Sequence, residues 1–386
     1  MKRSGRPLLL AVLFAPGQLI MGQELPNVLG DPPVSNSTEW IQTGRPKTLE
    51  LFRKNIYGRN PVERPDHLKF QVIKEDPEAM EGAATLKEVR ISYRGPGGEG
   101  GFKLIVLVPN AVKEPAPGFL LICNRDRSNI DPTRQEKSDF WPAEMIVKRG
   151  YVAATFHNSE LSTDQDLNFN NGVHPIFDDF DGDRPGDAWA TIAAWAWGAS
   201  RALDYFESDE GVDAGRIAVI GHSRGGKTAL WAGANDERFA MAISNNSGCT
   251  GAALARRRQG ETVARINKVF PHWFCDNYKN FDDREDELPV DQHQLIALMV
   301  PRPVYVASAS QDAWADPEGE FLAAYHAGPV YRLFGLKGLK AATLPEPQKP
   351  LHEGHVGYHL REGKHDLTAY DWTQYLAFAD RHLKAE

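Results

Sequence analysis

The chain has 386 residues, 41% hydrophobic and 25% charged, enough apolar side chain to bury a large core and too much for a disordered polymer. Its 52 acidic against 44 basic side chains leave a net charge of −8 with no Lys/Arg tract, which excludes nucleic acid as a partner. Three cysteines are too few for a disulfide scaffold: Cys249 and Cys275 leave room for one pair, and Cys123, ending an apolar run, reads as a buried structural thiol.

At the N-terminus Lys2, Arg3 and Arg6 precede the apolar stretch 8–15, and polar sequence begins at Glu24. A short apolar run behind a basic start is the pattern of an export signal, because a membrane span needs about 20 apolar residues. Residues 1–23 are therefore expected to be a signal peptide, cut near Gly22 or Gln23. Residues 24–386 are expected to form a single domain, secreted or periplasmic, monomeric and without a membrane span.

A Pro-rich leader around Pro26, Pro32 and Pro33 runs into a short helix at 48–54. Strand patterns follow at 68–74, 87–93 and 102–109, separated by turns such as Gly95-Pro96-Gly97-Gly98, and they read as an antiparallel opening. From Gly118 the pattern changes to strand 119–123, helix 144–148 and strand 151–156, an alternation that demands crossover connections and a parallel sheet. In 188–206 the residues Trp189, Ile192, Trp195, Ala199, Leu203 and Phe206 recur at helical spacing and predict a buried helix. Strands are then expected at 216–220, 239–243, 302–307, 330–334 and 356–360, with a closing helix at 367–382. The fold class is α/β, a mostly parallel central sheet flanked by helices in a three-layer sandwich.

Gly221-His222-Ser223-Arg224-Gly225 lies between the apolar strand 216–220 and an Ala-rich helix pattern from Gly226 onward. That context makes a nucleophile elbow, where the glycines let two backbones approach and the serine is held in a strained conformation. A serine hydroxyl attacks an acyl group only when an imidazole takes its proton and a carboxylate orients that imidazole. On such a sheet the order is serine, acid, histidine. His365, between the last strand and the closing helix, is the candidate base; His359 falls inside the strand, and His352 and His355 lie in the approach loop.

Two stations are open for the acid. The first, after strand 239–243, offers only the amides Asn245 and Asn246, whereas the second offers Asp312 just past strand 302–307. Asp316 is the reserve, although it suits a cap for the turn at Pro317. Arg224 brings a backbone N–H and a guanidinium to the place where negative charge develops, and Asn124, Arg125 and Arg127 are candidates for its other side. Neither His352-x-x-His355 nor the acidic run 178–183 has the spacing of a zinc helix or a calcium loop, so no metal or cofactor is expected.

Gly221-His222-Ser223-Arg224-Gly225-Gly226-Lys227, the segments 245–251 and 256–261, Trp314-Ala315-Asp316-Pro317 and Gly363-Lys364-His365-Asp366 together resemble a bacterial glucuronoyl esterase of carbohydrate esterase family 15. The likeness covers nearly all of the chain after the signal. Ser-Arg-x-x-Lys at the elbow combined with Asp-x-Trp after a later strand is far more specific than the elbow alone. The resemblance implies an α/β-hydrolase fold and metal-free cleavage of the ester between the carboxyl of 4-O-methyl-glucuronate on glucuronoxylan and an alcohol of lignin.

It also implies that Ser223 attacks, His365 is base and then acid, Asp312 orients it, and Arg224 stabilises the oxyanion. Lys227 would approach the sugar's O4, and Glu261 and Trp314 would grip its hydroxyls. Several relatives carry a glutamate where this chain has Asn246, which leaves the charge to Asp312. The aromatic run 270–274 is a candidate pocket wall. Two other functions share these residues: an acetyl-xylan or other carbohydrate esterase, and a carbohydrate-binding protein without turnover, which only Asn246 favours.

Overall fold

The computed structural model describes residues 24–165 and 167–384; the expected signal peptide lies outside the described residues. Among these, nine strands form one sheet in the order β1-β2-β3-β5-β4-β6-β7-β8-β9. The strands β1 (His67–Ala79), β2 (Ala84–Gly95) and β3 (Gly98–Pro109) form an antiparallel meander, and β3 pairs antiparallel with β5 (Val152–His157). From β5 onward the sheet is parallel, through β4 (Ala116–Cys123), β6 (Val212–His222), β7 (Met241–Asn245), β8 (Val304–Ala309) and β9 (Val356–Arg361).

Burial explains why the strand patterns differ. The strands β4, β7, β8 and β9 are buried at every position, as parallel strands covered on both faces must be; β4 is a nearly continuous apolar run, whereas β7 and β9 bury Ser244, Asn245, His359 and Arg361 as well. Along β4, Phe119, Leu121 and Cys123 enter one core while Leu120 and Ile122 enter the other, the period of two that separates the faces of a sheet. One face packs against the helices Thr191–Phe206 and Arg224–Asn235 through Trp195, Trp197 and Trp231; the opposite face packs against Ala369–His382 through Trp372, Tyr375 and Phe378. Edge strand β1 is mostly exposed and runs on past Lys74 through Glu75 and Asp76 to Ala79, where no apolar pattern marks it, so it is longer than the sequence predicts.

One expectation is corrected, and one pairing the sequence left open is settled. Residues 330–334 are not a strand: Gly328–Leu333 is a helix with Pro329 in its first turn, followed by Gly335 at φ +70°. A short apolar run has no periodicity of its own to separate strand from helix; Pro329 at the start and a left-handed glycine past the end decide it. Cys249 and Cys275 do not pair, and all three cysteines are free and buried. Each sulfur meets an oxygen of its own surroundings instead, Thr250 Oγ1 at 3.7 Å for Cys249 and the Lys54 carbonyl at 3.8 Å for Cys275. No helix among the described residues is long and apolar enough to cross a membrane.

Candidate active site

Strand β6 ends at His222 and the helix Arg224–Asn235 begins at once, which leaves Ser223 between them at φ 57°, ψ −125°. A left-handed φ on a residue with a Cβ costs on the order of 1–3 kcal/mol and persists only where the surroundings enforce it. Here they do. The Ser223 N–H donates to the Asn245 carbonyl at 2.9 Å, and its own carbonyl accepts from Gly226 N at 2.8 Å. A Cβ on Gly221 would collide with the Gly225 carbonyl, so the turn closes only with glycine there. The first turn of a helix leaves N–H groups without an intrahelical acceptor, and that of Arg224, directly after the serine, stands where an oxyanion would form.

His365 stands past the end of β9, and its Nδ1–H donates to Asp312 Oδ2 at 2.6 Å. Burial pushes the Asp312 carboxyl up, but His365 and the Asn246 amide outweigh it and hold the group below its usual range. Asn246 is therefore part of the site: its Nδ2 donates to the same Oδ2 at 3.0 Å. The His365 ring lies 4.5 Å from that of His222, the residue before the serine. His222 itself is buried, donates from Nδ1 to Asn245 Oδ1 at 2.6 Å, and is pushed down to about 3 by burial and by His365, so it stays neutral. Under the same loop Glu320 is fully buried, accepting from Ser247 N at 2.7 Å, Gly248 N at 3.0 Å and Ser308 Oγ at 2.6 Å; burial pushes it up to about 8 against these donors.

The competing residues have other partners. Asp316 caps the helix Pro317–His326 by accepting from Gly319 N at 3.1 Å and pairs with Arg257 at 2.8 Å. His359 is buried in β9 and donates to Asp371 at 2.8 Å, His352 meets Tyr305 Oη at 2.9 Å, and His355 packs on His382. Among the described residues no group of three or more His, Cys, Asp or Glu side chains is placed to hold a metal ion.

On the far side of Ser223 the charged residues converge. Lys227 and Glu261 are 2% and 6% exposed, which rules out a helix-surface lysine and a solvated glutamate; Lys227 Nζ donates to Glu261 Oε2 at 2.6 Å and to the Cys249 carbonyl. Glu261 N donates to the Trp314 carbonyl at 2.8 Å. Trp314 is 43% exposed rather than in the core, and its ring carries Arg265 at 4.5 Å. In the run 270–274, Phe270 and Trp273 stack at 3.8 Å and Trp273 carries Arg224 at 5.1 Å and Lys227 at 5.9 Å, while Phe274 is buried against Tyr57 and Tyr278 in the core.

Sequence reasoning missed Asp164. It pairs with the Arg224 guanidinium and accepts from Trp273 Nε1 at 2.6 Å and His272 Nε2 at 3.3 Å. Nothing local marks it, because Asp164 lies 60 residues upstream of its partner. Burial pulls Arg224 below its usual value, opposed by the charge of Glu261. Of the residues proposed for the other side, Arg125 belongs to the site, pairing with Asp366 at 2.7 Å and donating to His222 Nε2 at 3.4 Å. Asn124 lies close by, its Oδ1 3.4 Å from where a Cβ on Gly225 would stand. Arg127 turns out to an ion pair with Glu160 and is not part of it.

An antiparallel opening, a parallel core and a serine at a strand-to-helix elbow define an α/β hydrolase. The chain belongs to the glucuronoyl esterase family: the family model described as "Glucuronyl esterase, fungi" matches residues 138–335. Carbohydrate esterase MZ0003, from an unknown prokaryotic organism, is 42% identical over 379 residues, 91% of this chain and 87% of that protein. The structure of the glucuronoyl esterase from Solibacter usitatus superposes with a TM-score of 0.87 at 39% identity, over 94% of this chain and 99% of that one. A 4-O-methyl-glucuronoyl methylesterase 1 from Wolfiporia cocos (strain MD-104) is 30% identical over 199 residues, 49% of this chain and 48% of that protein.

Proposed function

We propose that the protein hydrolyses esters of 4-O-methyl-glucuronate or glucuronate on glucuronoxylan, lignin–carbohydrate esters included, through an acyl-enzyme on Ser223. The observation that carries this reading is the 2.6 Å Asp312–His365 pair, whose imidazole lies 4.5 Å from the ring of His222 just before the strained elbow serine, with Arg224 and Lys227 both over the Trp273 ring. His365 Nε2 takes the Ser223 proton as Oγ attacks the ester carbonyl, and the oxyanion is met by the Arg224 N–H and guanidinium. His365 then returns the proton to the departing alcohol, and a water attacks the acyl-enzyme by the same route in reverse. Lys227, Glu261 and Trp314 hold the sugar hydroxyls, for which a buried ion pair and an exposed indole are suited donors and acceptors.

Asn246, the one feature that favoured binding without turnover, donates to Asp312 and so supports the relay. The basic and apolar start at 2–15 supports export to where a polymeric substrate is met. Purified protein should release alcohol from benzyl or methyl glucuronate esters. Ser223→Ala should abolish this, and a serine-reactive phosphonate should label only the unsubstituted protein; unchanged turnover in the variant removes the mechanism. Faster release of acetate from acetylated xylan than of alcohol from the glucuronate ester would make it an acetyl esterase instead.

A further inference from the structure

His365 sits in an exposed turn, where backbone is ordinarily mobile, yet a proton relay needs its imidazole held to within about 0.5 Å. The turn is held from beneath. Arg361, the last residue of β9, is buried, and its guanidinium donates to three carbonyls: Glu362 at 3.0 Å, Lys364 at 2.7 Å and Asp366 at 3.1 Å. The last two bracket His365 in the chain.

The guanidinium is itself fixed, pairing with Asp371 at 3.0 Å. Asp371 is fully buried and accepts from Thr368 N at 2.7 Å and Thr368 Oγ1 at 2.8 Å, closing the N-terminal cap of the helix Ala369–His382, and from His359 at 2.8 Å. Gly363, at φ +118°, lets the turn settle on this group, since a Cβ there would stand 2.8 Å from Arg361 Nη1. The same turn is stitched to the acid loop by Ser310 N to the Arg361 carbonyl at 2.8 Å and Gln311 N to the Gly363 carbonyl at 2.9 Å, two and one residues before Asp312.

We infer that Arg361, anchored by Asp371, is a positioning residue for the reaction, fixing where His365 stands between Asp312 and Ser223 without touching substrate. The inference rests on the reading of His365 as the base. Planarity is the physical reason an arginine is needed: a guanidinium spreads five donors over a rigid plane and reaches three carbonyls and a carboxylate together, which a lysine ammonium cannot.

The test compares Arg361→Lys, Asp371→Asn and His365→Ala with the unsubstituted enzyme, by kcat and KM on a benzyl glucuronate ester and by the rate of phosphonate labelling at Ser223. Arg361→Lys should lower kcat and the labelling rate together by about 10- to 100-fold, as an imidazole displaced by roughly 1 Å would, while KM stays within twofold. Asp371→Asn should do the same more weakly, and it carries the test if Arg361→Lys does not fold. Should His365→Ala abolish turnover while folded Arg361→Lys and Asp371→Asn keep the original kcat and labelling rate, Arg361 is only structural and the inference is wrong. If His365→Ala itself keeps turnover, the base has been misassigned and the reading beneath the inference fails.

Discussion

On one side of Ser223 a carboxylate, an imidazole and an amide are joined at 2.6 and 3.0 Å, and each hangs from the end of a parallel strand, Asn246 after β7, Asp312 after β8 and His365 after β9. On the other side stand two ion pairs, Arg224 with Asp164 and Lys227 with Glu261, laid against the rings of Phe270 and Trp273. The base side is fixed before any substrate arrives, because strand ends in one sheet keep their spacing. The side proposed to hold the sugar carries charges that already compensate one another, pairs that a hydroxyl or an oxyanion would have to open. Catalysis gains most where donors need not reorganise, and recognition gains where an existing pair can open.

The comparison can be broken most decisively at the nucleophile. Ser223→Ala should cut turnover of a glucuronate ester by about 10⁴- to 10⁶-fold, and Ser223→Ala with His365→Ala should be hardly worse, because the two act as a unit. Additive losses in the double variant would mean that the base side is no unit. Next in size, Asp312→Asn should lower kcat by on the order of 10³- to 10⁴-fold, whereas Asn246→Ala, which removes one hydrogen bond to a charged group, should cost about 10-fold. Equal losses would place the orienting charge elsewhere than Asp312.

The sugar side should respond in stability first. Lys227→Met leaves Glu261 buried without its cation and should cost about 3–5 kcal/mol in urea unfolding, while Lys227→Met with Glu261→Leu should recover most of that stability yet leave KM raised. Recovery of KM as well would show that the pair does not touch the sugar.

An effect on pH dependence rather than on turnover lies beneath the base side, at Glu320, whose carboxyl moves from an ordinary 4.5 to about 8 in the folded protein. Below 4.5 it is protonated folded or unfolded and contributes nothing to pH dependence. Between 4.5 and 8 the unfolded chain ionises first, so stability should fall as pH rises, by a few kcal/mol, and level off above 8. Glu320→Gln should flatten that slope in denaturation measured across the interval. A slope that survives the substitution belongs to another group.

Local chemistry made the elbow legible, since Gly-x-Ser-x-Gly between a strand pattern and a helix pattern has one geometry, and chain order then found His365 and Asp312 at strand ends. The aromatic run 270–274 and the three residues Lys227, Glu261 and Trp314 came from likeness to a family, because spacing alone leaves a lysine, a glutamate and a tryptophan with ordinary surface or core roles. Segment 330–334 misled because four apolar residues around Arg332 fit either period, and the charged continuation of β1 hid because an exposed edge needs no apolar signal.

What the sequence by itself determined was the order of the sheet strands apart from segment 330–334, the strained serine and which chain positions follow the strand ends, all consequences of periodicity and turn chemistry within a few residues. Only the tertiary structure decided that Asn246 would serve Asp312 from 66 residues away, that Asp164 would hold Arg224, and that Arg361 would underpin His365. The physical reason is that hydrogen bonds and ion pairs are short-ranged in space and indifferent to separation along the chain, so the sheet, by choosing which loops meet, chooses the partners.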